Sequence, residues 1–295
     1  MCSIYSSNIP QEEYEAVNKT LKPRGPDHTA IIESNGYTFI HNLLSITGEY
    51  TTQPFIEDDI VCLYNGEIYN FKEFGDYKSD GLCLIDLYKE YGEQFVRKLD
   101  GEFAIQIFDF KNNKILISSD IFRTKPLFYS IDEDKFGCST FKEPLEISGH
   151  KNIKKFPANT TKIFDLKNLQ LISTYPVYVF NLDQYKNDFD DWNIAFENSI
   201  SKRVSNTNCE VFMGLSSGYD SGAICNELIR QSVPFKAYSV MGSEDDKVMA
   251  ERFNAIDSVS FGSYQTLEKT TDNLVRNYEH IKKYTDYFVY TICSS

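Results

Sequence analysis

The chemistry of this chain begins at its second residue. The chain opens Met1-Cys2-Ser3-Ile4, and removal of the initiator Met, which a small second residue permits, leaves Cys2 carrying a thiol and a primary amine on one carbon. A free thiol titrates near about 8.5 and an α-amino group near about 7.7–8.0, so the amine is a competent proton acceptor at neutral pH. Such a nucleophile brings its own base and needs no separate histidine. An incidental second residue is the competing reading, and the downstream segments weigh against it. Asn65-Gly66-Glu67-Ile68-Tyr69-Asn70 closes an apolar run. An Asn amide and the N–H of the following Gly are two donors that can converge on an oxyanion, although Asn-Gly also makes ordinary turns. Arg24-Gly25-Pro26-Asp27-His28 is a rigid polar turn. Ser79-Asp80 precedes a helical stretch, where it is either an N-cap or a carboxylate for a substrate ammonium. Further on, Leu215-Ser216-Ser217-Gly218-Tyr219-Asp220-Ser221 sits between an apolar strand and a helix. That placement aims backbone N–H groups at an anion. It has no Walker lysine, and a plain strand–helix connection is the alternative.

The elements that must position these residues read as mostly strand from residue 28 to about 175. The candidates are His28–Ser34, Tyr37–Ile46, Ile60–Ile68, Glu102–Phe110, Lys114–Ile121, Pro126–Ile131 and Lys135–Phe141, with a hairpin turn at Lys111–Lys114. Phe103–Phe108 is apolar at nearly every position, as in a strand covered on both faces. Two helices interrupt the strands, Gln11–Leu21 and a second carrying Leu84, Leu87, Tyr88, Tyr91, Phe95 and Leu99 at three- and four-residue spacing. Sheets packed on each other with helices outside satisfy this pattern. Asn181–Asp191 is polar and acidic and reads as a linker. After it come a helix with Trp192, Phe196, Ile200 and Val204 on one face, a strand at Val211–Leu215 and a helix from Ser221 to Arg230. A strand at Phe235–Met241, a helix at Asp245–Ala255, a short strand at Ser258–Phe261 and a helix from Leu267 follow. This alternation predicts a parallel α/β sheet that stops after about three strands.

At 295 residues, with 41% hydrophobic and 25% charged, the chain has the composition of a globular protein with a core. Its net charge of −13 argues against a nucleic-acid surface, which needs clustered Lys and Arg. No apolar run approaches a membrane span and no secretory signal opens the chain, so a cytoplasmic location is expected. The seven cysteines and four histidines show no metal-ligand spacing, and the scattered cysteines read as buried thiols in a reducing compartment.

In this order, Met-Cys, Arg24–Asp27, Asn65–Asn70, Ser79-Asp80, Leu99–Ala104, Asp120, Pro126–Tyr129 and Ile153–Ala158 resemble the class II glutamine amidotransferases, and specifically the asparagine synthetase family. The resemblance implies an α+β N-terminal Ntn-hydrolase-type sandwich (αββα) over residues 2–185. An incomplete α/β parallel-sheet nucleotide-binding domain would follow over 190–295. It implies that Cys2 attacks glutamine's side-chain amide, with Asn65 and the Gly66 N–H holding the oxyanion. Glu67 and Asp80 would hold glutamine's α-amino group, and backbone groups of Leu43, Leu44, Ser45, Ile46 and Thr47 would line the substrate. The family usually has an Arg at Leu43 to pair glutamine's carboxylate, a role that Arg24 or another cation must then take. Ser3, Ser119 and Arg123 depart from Gly, Arg and Gly. In the second domain Leu215, Ser216, Ser217, Gly218, Asp220 and Ser221 would bind the phosphates of ATP, with Asp220 near magnesium and the Val240 backbone at the adenine. Ser217 stands where the family has a glycine. The implied activity is that of a glutamine-hydrolysing asparagine synthase: ammonia from Cys2 amidates ATP-activated aspartate, with no tightly bound cofactor. The later part of the synthetase is not in the sequence, so a separate chain would supply it, and a homodimer is compatible with the resemblance. A stand-alone glutaminase feeding another enzyme, and a non-catalytic binding remnant, remain as alternatives.

Overall fold

The computed structural model describes residues 2–11, 14–183, 185–205, 209–242 and 244–268. They fall into two units, the first running to Leu182 and the second beginning at Asp183. In the first unit the strands are β1 (Ser3–Ser7), β2 (His28–Ser34), β3 (Tyr37–Leu43), β4 (Phe55–Glu57), β5 (Ile60–Ile68), β6 (Gly101–Asp109) and β7 (Lys114–Ser119). They continue as β8 (Phe128–Asp132), β9 (Lys135–Ser139), β10 (Lys154–Lys155), β11 (Thr160–Asp165) and β12 (Leu171–Tyr175). The helices are α1 (Glu15–Leu21), α2 (Cys83–Tyr91) and α3 (Lys142–Ile147).

The strands form two antiparallel six-stranded sheets, ordered β10-β8-β9-β1-β3-β2 and β12-β11-β7-β6-β5-β4. Side chains alternate across a strand, and here both faces of each sheet are covered. Ile4, Phe39, Val61, Leu63, Phe108, Ile117 and Phe136 fill the layer between the sheets. Tyr5, Ile40, Val17, Leu21 and Leu145 seal the first sheet under α1 and α3. Tyr64, Ile105 and Ile107 meet Leu84, Leu87 and Tyr88 of α2 on the far side of the second. The layering is therefore helix, sheet, sheet, helix. Each large apolar side chain buried in it contributes about 1.5–3 kcal/mol.

The expected strands and helices of this unit are present, with shorter ends. The helical spacing through Leu99 is interrupted: α2 stops at Tyr91 because Gly92, at φ 61°, caps it, and Gly92–Lys98 continues as a 3₁₀ segment. The sequence reading omitted β1, the strand that directly follows Cys2, and also β4, β10, β11, β12 and α3. Cys62, Cys83, Cys138 and Cys225 are buried thiols as expected, but Cys209 is exposed.

The second unit contains α4 (Asp190–Ser205), β13 (Val211–Gly214), α5 (Tyr219–Arg230), β14 (Phe235–Met241), α6 (Asp246–Asp257) and β15 (Gly262–Glu268). The three strands are parallel in the order β13-β14-β15. Asp245 caps α6, its carboxylate accepting from the N–H groups of Lys247 and Val248. The strand expected at Ser258–Phe261 is a turn, and the third strand lies at Gly262–Glu268, so Leu267 is in a strand and not at a helix start. The rest of that expected helix lies outside the described residues.

Candidate active site

Register places Cys2. In β1, Ile4 packs into the layer between the sheets and Ser6 donates to Gln106 of β6 across that layer. Cys2 shares their side of the chain by the two-residue alternation. On the opposing sheet, Val61 and Leu63 of β5 point into the same layer, and Asn65 follows them in phase. Strands β1 and β5 pack against each other. Asn65 is fully buried, and neither its side-chain oxygen nor its nitrogen has a hydrogen-bond partner. A buried amide without partners is costly unless something else occupies it.

Gly66 follows. The N–H of Tyr64 donates to Gln53 and that of Ile68 to Asp80, both on the edge of β5 away from β6. The strand alternation sends the Gly66 N–H to that same open side, between them. No other residue fits here: a Cβ on Gly66 would lie 2.2 Å from the Glu102 carbonyl oxygen and 2.9 Å from the Phe103 Cα.

The Cys2 sulfur accepts the Leu44 N–H at 3.4 Å, and the buried Arg24 donates from Nε to the Cys2 carbonyl at 2.9 Å. Burial pushes the thiol above its ordinary value, Leu44 and Arg24 pull it back, and the Asp80 charge adds to the rise. The thiol therefore rests protonated and needs a base. Gly25 keeps Arg24 close, since a Cβ on it would stand 2.1 Å from the Asn42 carbonyl oxygen.

Leu43 lies on β3 one residue beyond the Ser3–Asn42 pair, which puts it opposite Cys2. Ser45 donates its N–H to Asp27 at 2.8 Å, Ile46 is exposed, and the Thr47 hydroxyl donates to Glu67 at 2.8 Å. The Asp80 carboxylate accepts from the Tyr64 hydroxyl at 2.6 Å and from the N–H groups of Ile68 and Gly81 at 2.8 Å each. It ties its turn to β5, while Ser79 makes no side-chain cap. Burial pushes Asp80 above the usual carboxylate range despite those donors. Glu67 is pushed up to about 7 by burial and then by Asp80, partly offset by Thr47 and Lys125. Lys125, nearly buried, donates to Glu102, the cross-strand partner of Glu67, at 3.0 Å. The structure thus gathers Cys2, Arg24, Leu43–Thr47, Asn65–Glu67 and Asp80 at one end of the sandwich. Arg24 donates from Nε to the Cys2 backbone, so that edge of its guanidinium is already taken. Lys125 and Tyr64 were missed, because their partners, Glu102 and Asp80, lie 23 and 16 residues away in the chain.

This arrangement is a thiol beside two donors, with carboxylates a few residues along, and its likeness to known proteins follows the same segments. The glutamine amidotransferase domain pattern matches residues 1–156. The chain belongs to the glutamine amidotransferase family. It is 27% identical to a putative glutamine-hydrolysing asparagine synthetase of Methanocaldococcus jannaschii, over 85% of this chain and 56% of that one. It is 26% identical to the glutamine-hydrolysing asparagine synthetase of Homo sapiens, over 92% of this chain and 56% of that one. The chain thus spans about half the length of these curated relatives. An allosteric regulatory enzyme of purine biosynthesis has a similar fold, with a TM-score of 0.50 at 11% identity over 90% of this chain and 80% of that one. Among this amidotransferase's departures, Arg123 adopts φ 53°, the left-handed region that favours glycine. Asp120 holds that turn by accepting from Phe122, Thr124 and Phe103. Ser119 is buried with its hydroxyl unpartnered.

In the second unit Leu215 is buried, and Ser216–Gly218 connects β13 to α5. The Ser216 and Ser221 hydroxyls pair at 2.9 Å, the Ser217 N–H donates to Glu244, and Arg252 donates to the Ser216 and Gly218 carbonyls. Ser217 is not among the residues with positive φ, so its Cβ costs no backbone strain. Asp220 is exposed in the first turn of α5, and Val240 is exposed on β14. No group of His, Cys, Asp and Glu suited to a metal occurs among the described residues.

Proposed function

We propose that Cys2 hydrolyses a glutamine side-chain amide. The α-amine exposed by loss of Met1, which lies outside the described residues, takes the thiol proton as sulfur attacks the amide carbon. The Asn65 amide and the Gly66 N–H donate hydrogen bonds to the developing oxyanion. The C–N bond then breaks, the same amine returns the proton to the leaving nitrogen, ammonia departs, and water cleaves the thioester. The observation that carries this reading is the fully buried, unpartnered Asn65 amide facing the sheet that carries Cys2. Treatment with a glutamine-mimicking diazoketone tests it. One covalent adduct on Cys2, located by mass spectrometry and accompanied by loss of ammonia release, is expected. An unmodified Cys2 in folded protein lacking Met1, even at high diazoketone concentration, would refute it.

We further propose, from the similarity to asparagine synthetases, that the ammonia serves ATP-dependent amidation of aspartate. In that reading residues 215–221 meet the phosphates of magnesium-ATP, Asp220 lies beside the magnesium and the Val240 backbone beside the adenine. The amidation also draws on the part of the relatives that this chain does not span. A second reading, a glutaminase whose ammonia serves another acceptor, is favoured by one observation: the Glu244 carboxylate already takes the Ser217 N–H that a phosphate would use. Calorimetric titration with magnesium-ATP separates the two, since binding supports the synthetase reading and its absence supports the other.

A further inference from the structure

The charges around the nucleophile are lopsided. Five carboxylates, Asp27, Glu49, Glu67, Asp80 and Glu102, stand on the segments that frame Cys2 and Asn65. Three cations stand among them in the described residues, two buried and engaged and the third in a surface pair. Arg24 is 4% exposed with its Nε on the Cys2 carbonyl. Lys125 is 5% exposed and bound to Glu102, and Lys78 pairs with Glu49 out in solvent at 3.3 Å. The position opposite Cys2 is the apolar Leu43. Beyond it, Ile46 and Tyr50 are exposed along the loop that leaves β3. The buried, unpartnered Asn65 amide marks where a substrate carbonyl sits.

A free amino acid brings one ammonium and one carboxylate to such a site. Glu67 and Asp80 suit the ammonium. Among the described residues the carboxylate finds no buried cation that is uncommitted, only Lys78 in solvent beside Glu49, and it must approach several carboxylates across an apolar side chain, which is unfavourable in a partly desolvated site. A substrate with the same ammonium and side-chain amide but a neutral carbonyl in place of the carboxylate avoids that cost. It also places whatever follows its carbonyl against Leu43, Ile46 and Tyr50.

We propose that the preferred substrate of this site is a glutamine whose α-carboxyl is masked as an amide, either a small carboxyl derivative or the N-terminal glutamine residue of a peptide. The chemistry is unchanged: the thiol takes the side-chain acyl group, ammonia leaves, and water releases a glutamate residue. The proposal rests on the Cys2 amidase reading and narrows its substrate. Free glutamine is then a poor substrate that reacts at high concentration.

Steady-state ammonia release from the full chain lacking Met1 decides this. The substrates are L-glutamine, L-glutamine N-methylamide, a tripeptide N-methylamide beginning with glutamine, and N-acetylglutamine. The N-methylamide is expected to exceed glutamine in kcat/KM by about tenfold or more, the gap of one charge-assisted contact. N-acetylglutamine, which has a carboxylate and no ammonium, is expected to be inert. A tripeptide better than the N-methylamide identifies the N-terminal residue of a peptide as the substrate, and the reverse identifies the small derivative. Leu43→Arg is expected to raise kcat/KM for glutamine and lower it for the N-methylamide, chiefly through KM. Should Leu43→Arg not fold, the ratio measured on the unsubstituted protein still decides. Glutamine turning over as well as the N-methylamide, or better, overturns the proposal while leaving the amidase reading intact. Absence of ammonia from every substrate together with absence of the diazoketone adduct overturns both.

Discussion

Gly66→Ala is the most informative single change. The added Cβ meets the Glu102 carbonyl oxygen at 2.2 Å and the Phe103 Cα at 2.9 Å, both backbone atoms of the neighbouring strand. No side chain can rotate away, so β5 must separate locally from β6 by about 1 Å to restore ordinary contact. Overpacking of this kind costs about 1–3 kcal/mol. The displaced segment also carries Asn65 and Glu67, and a misplacement of about 1 Å in reacting geometry costs roughly 100-fold in rate. Gly36→Ala is the control: it lies at φ 79° in the β2–β3 turn, where a Cβ meets nothing within 4 Å. It should lower stability by about 1 kcal/mol through the backbone alone and leave turnover unchanged. Urea unfolding and ammonia release, measured at a temperature where both variants are folded, separate stability from rate. Full activity and stability in Gly66→Ala would refute both the close approach of the strands and its role in aligning the donors.

The other expectations follow from individual contacts. Asn65→Ala should lower turnover by roughly 100- to 1000-fold with no loss of stability, because the amide it removes is buried without partners; a matching drop in the urea midpoint would make Asn65 a structural residue. Glu67 has a folded-state value of about 7 against an ordinary 4.5, so the folded form keeps a proton that the unfolded form has lost between those values. Its contribution to stability is fully present below the ordinary value and is lost as pH rises through about 7, so the urea midpoint should fall across that window more in the unsubstituted protein than in Glu67→Gln. Ammonium binding needs the ionised carboxylate, so kcat/KM should rise with pH through the same region, and Glu67→Gln should lose that limb. Protein that retains Met1 should not hydrolyse amides, because its Cys2 nitrogen is then an amide; active protein of that mass would contradict the mechanism. Glu244→Ala should strengthen binding of magnesium-ATP by freeing the Ser217 N–H, whereas Ser217→Gly should not, and calorimetry on both variants checks this.

Periodicity alone placed β2, β3 and β5 through β9, because their alternation or continuous apolarity matches a pleated strand with a covered face. It missed β1. Ser3, Ser6 and Ser7 look too polar for a buried strand, yet each hydroxyl is satisfied at long range, by the Leu21 carbonyl, Gln106 and His150. Such pairings span up to 143 residues and leave no local trace. The site was legible where its residues come in short ordered segments, as with Asn65-Gly66-Glu67. It was not legible where a role depends on what has already been used. Arg24 reads in the sequence as an available cation, and only the fold shows its guanidinium committed to the Cys2 backbone. Likewise the Ser216–Ser221 turn reads as an open cradle for an anion, and only the fold shows Glu244 on the Ser217 N–H and Arg252 on the Gly218 carbonyl.

The place of β1 between β3 and β9 bears on how the protein is made. It is the first strand to leave the ribosome, yet one of its two partners is complete only at Ser139. At ordinary elongation speeds the beginning of the chain waits roughly 7–26 s for that neighbour. During this interval β1 has one open edge, and afterwards Tyr5–Ser7 are paired on both sides. The strand next to Cys2 is therefore made early and enclosed late.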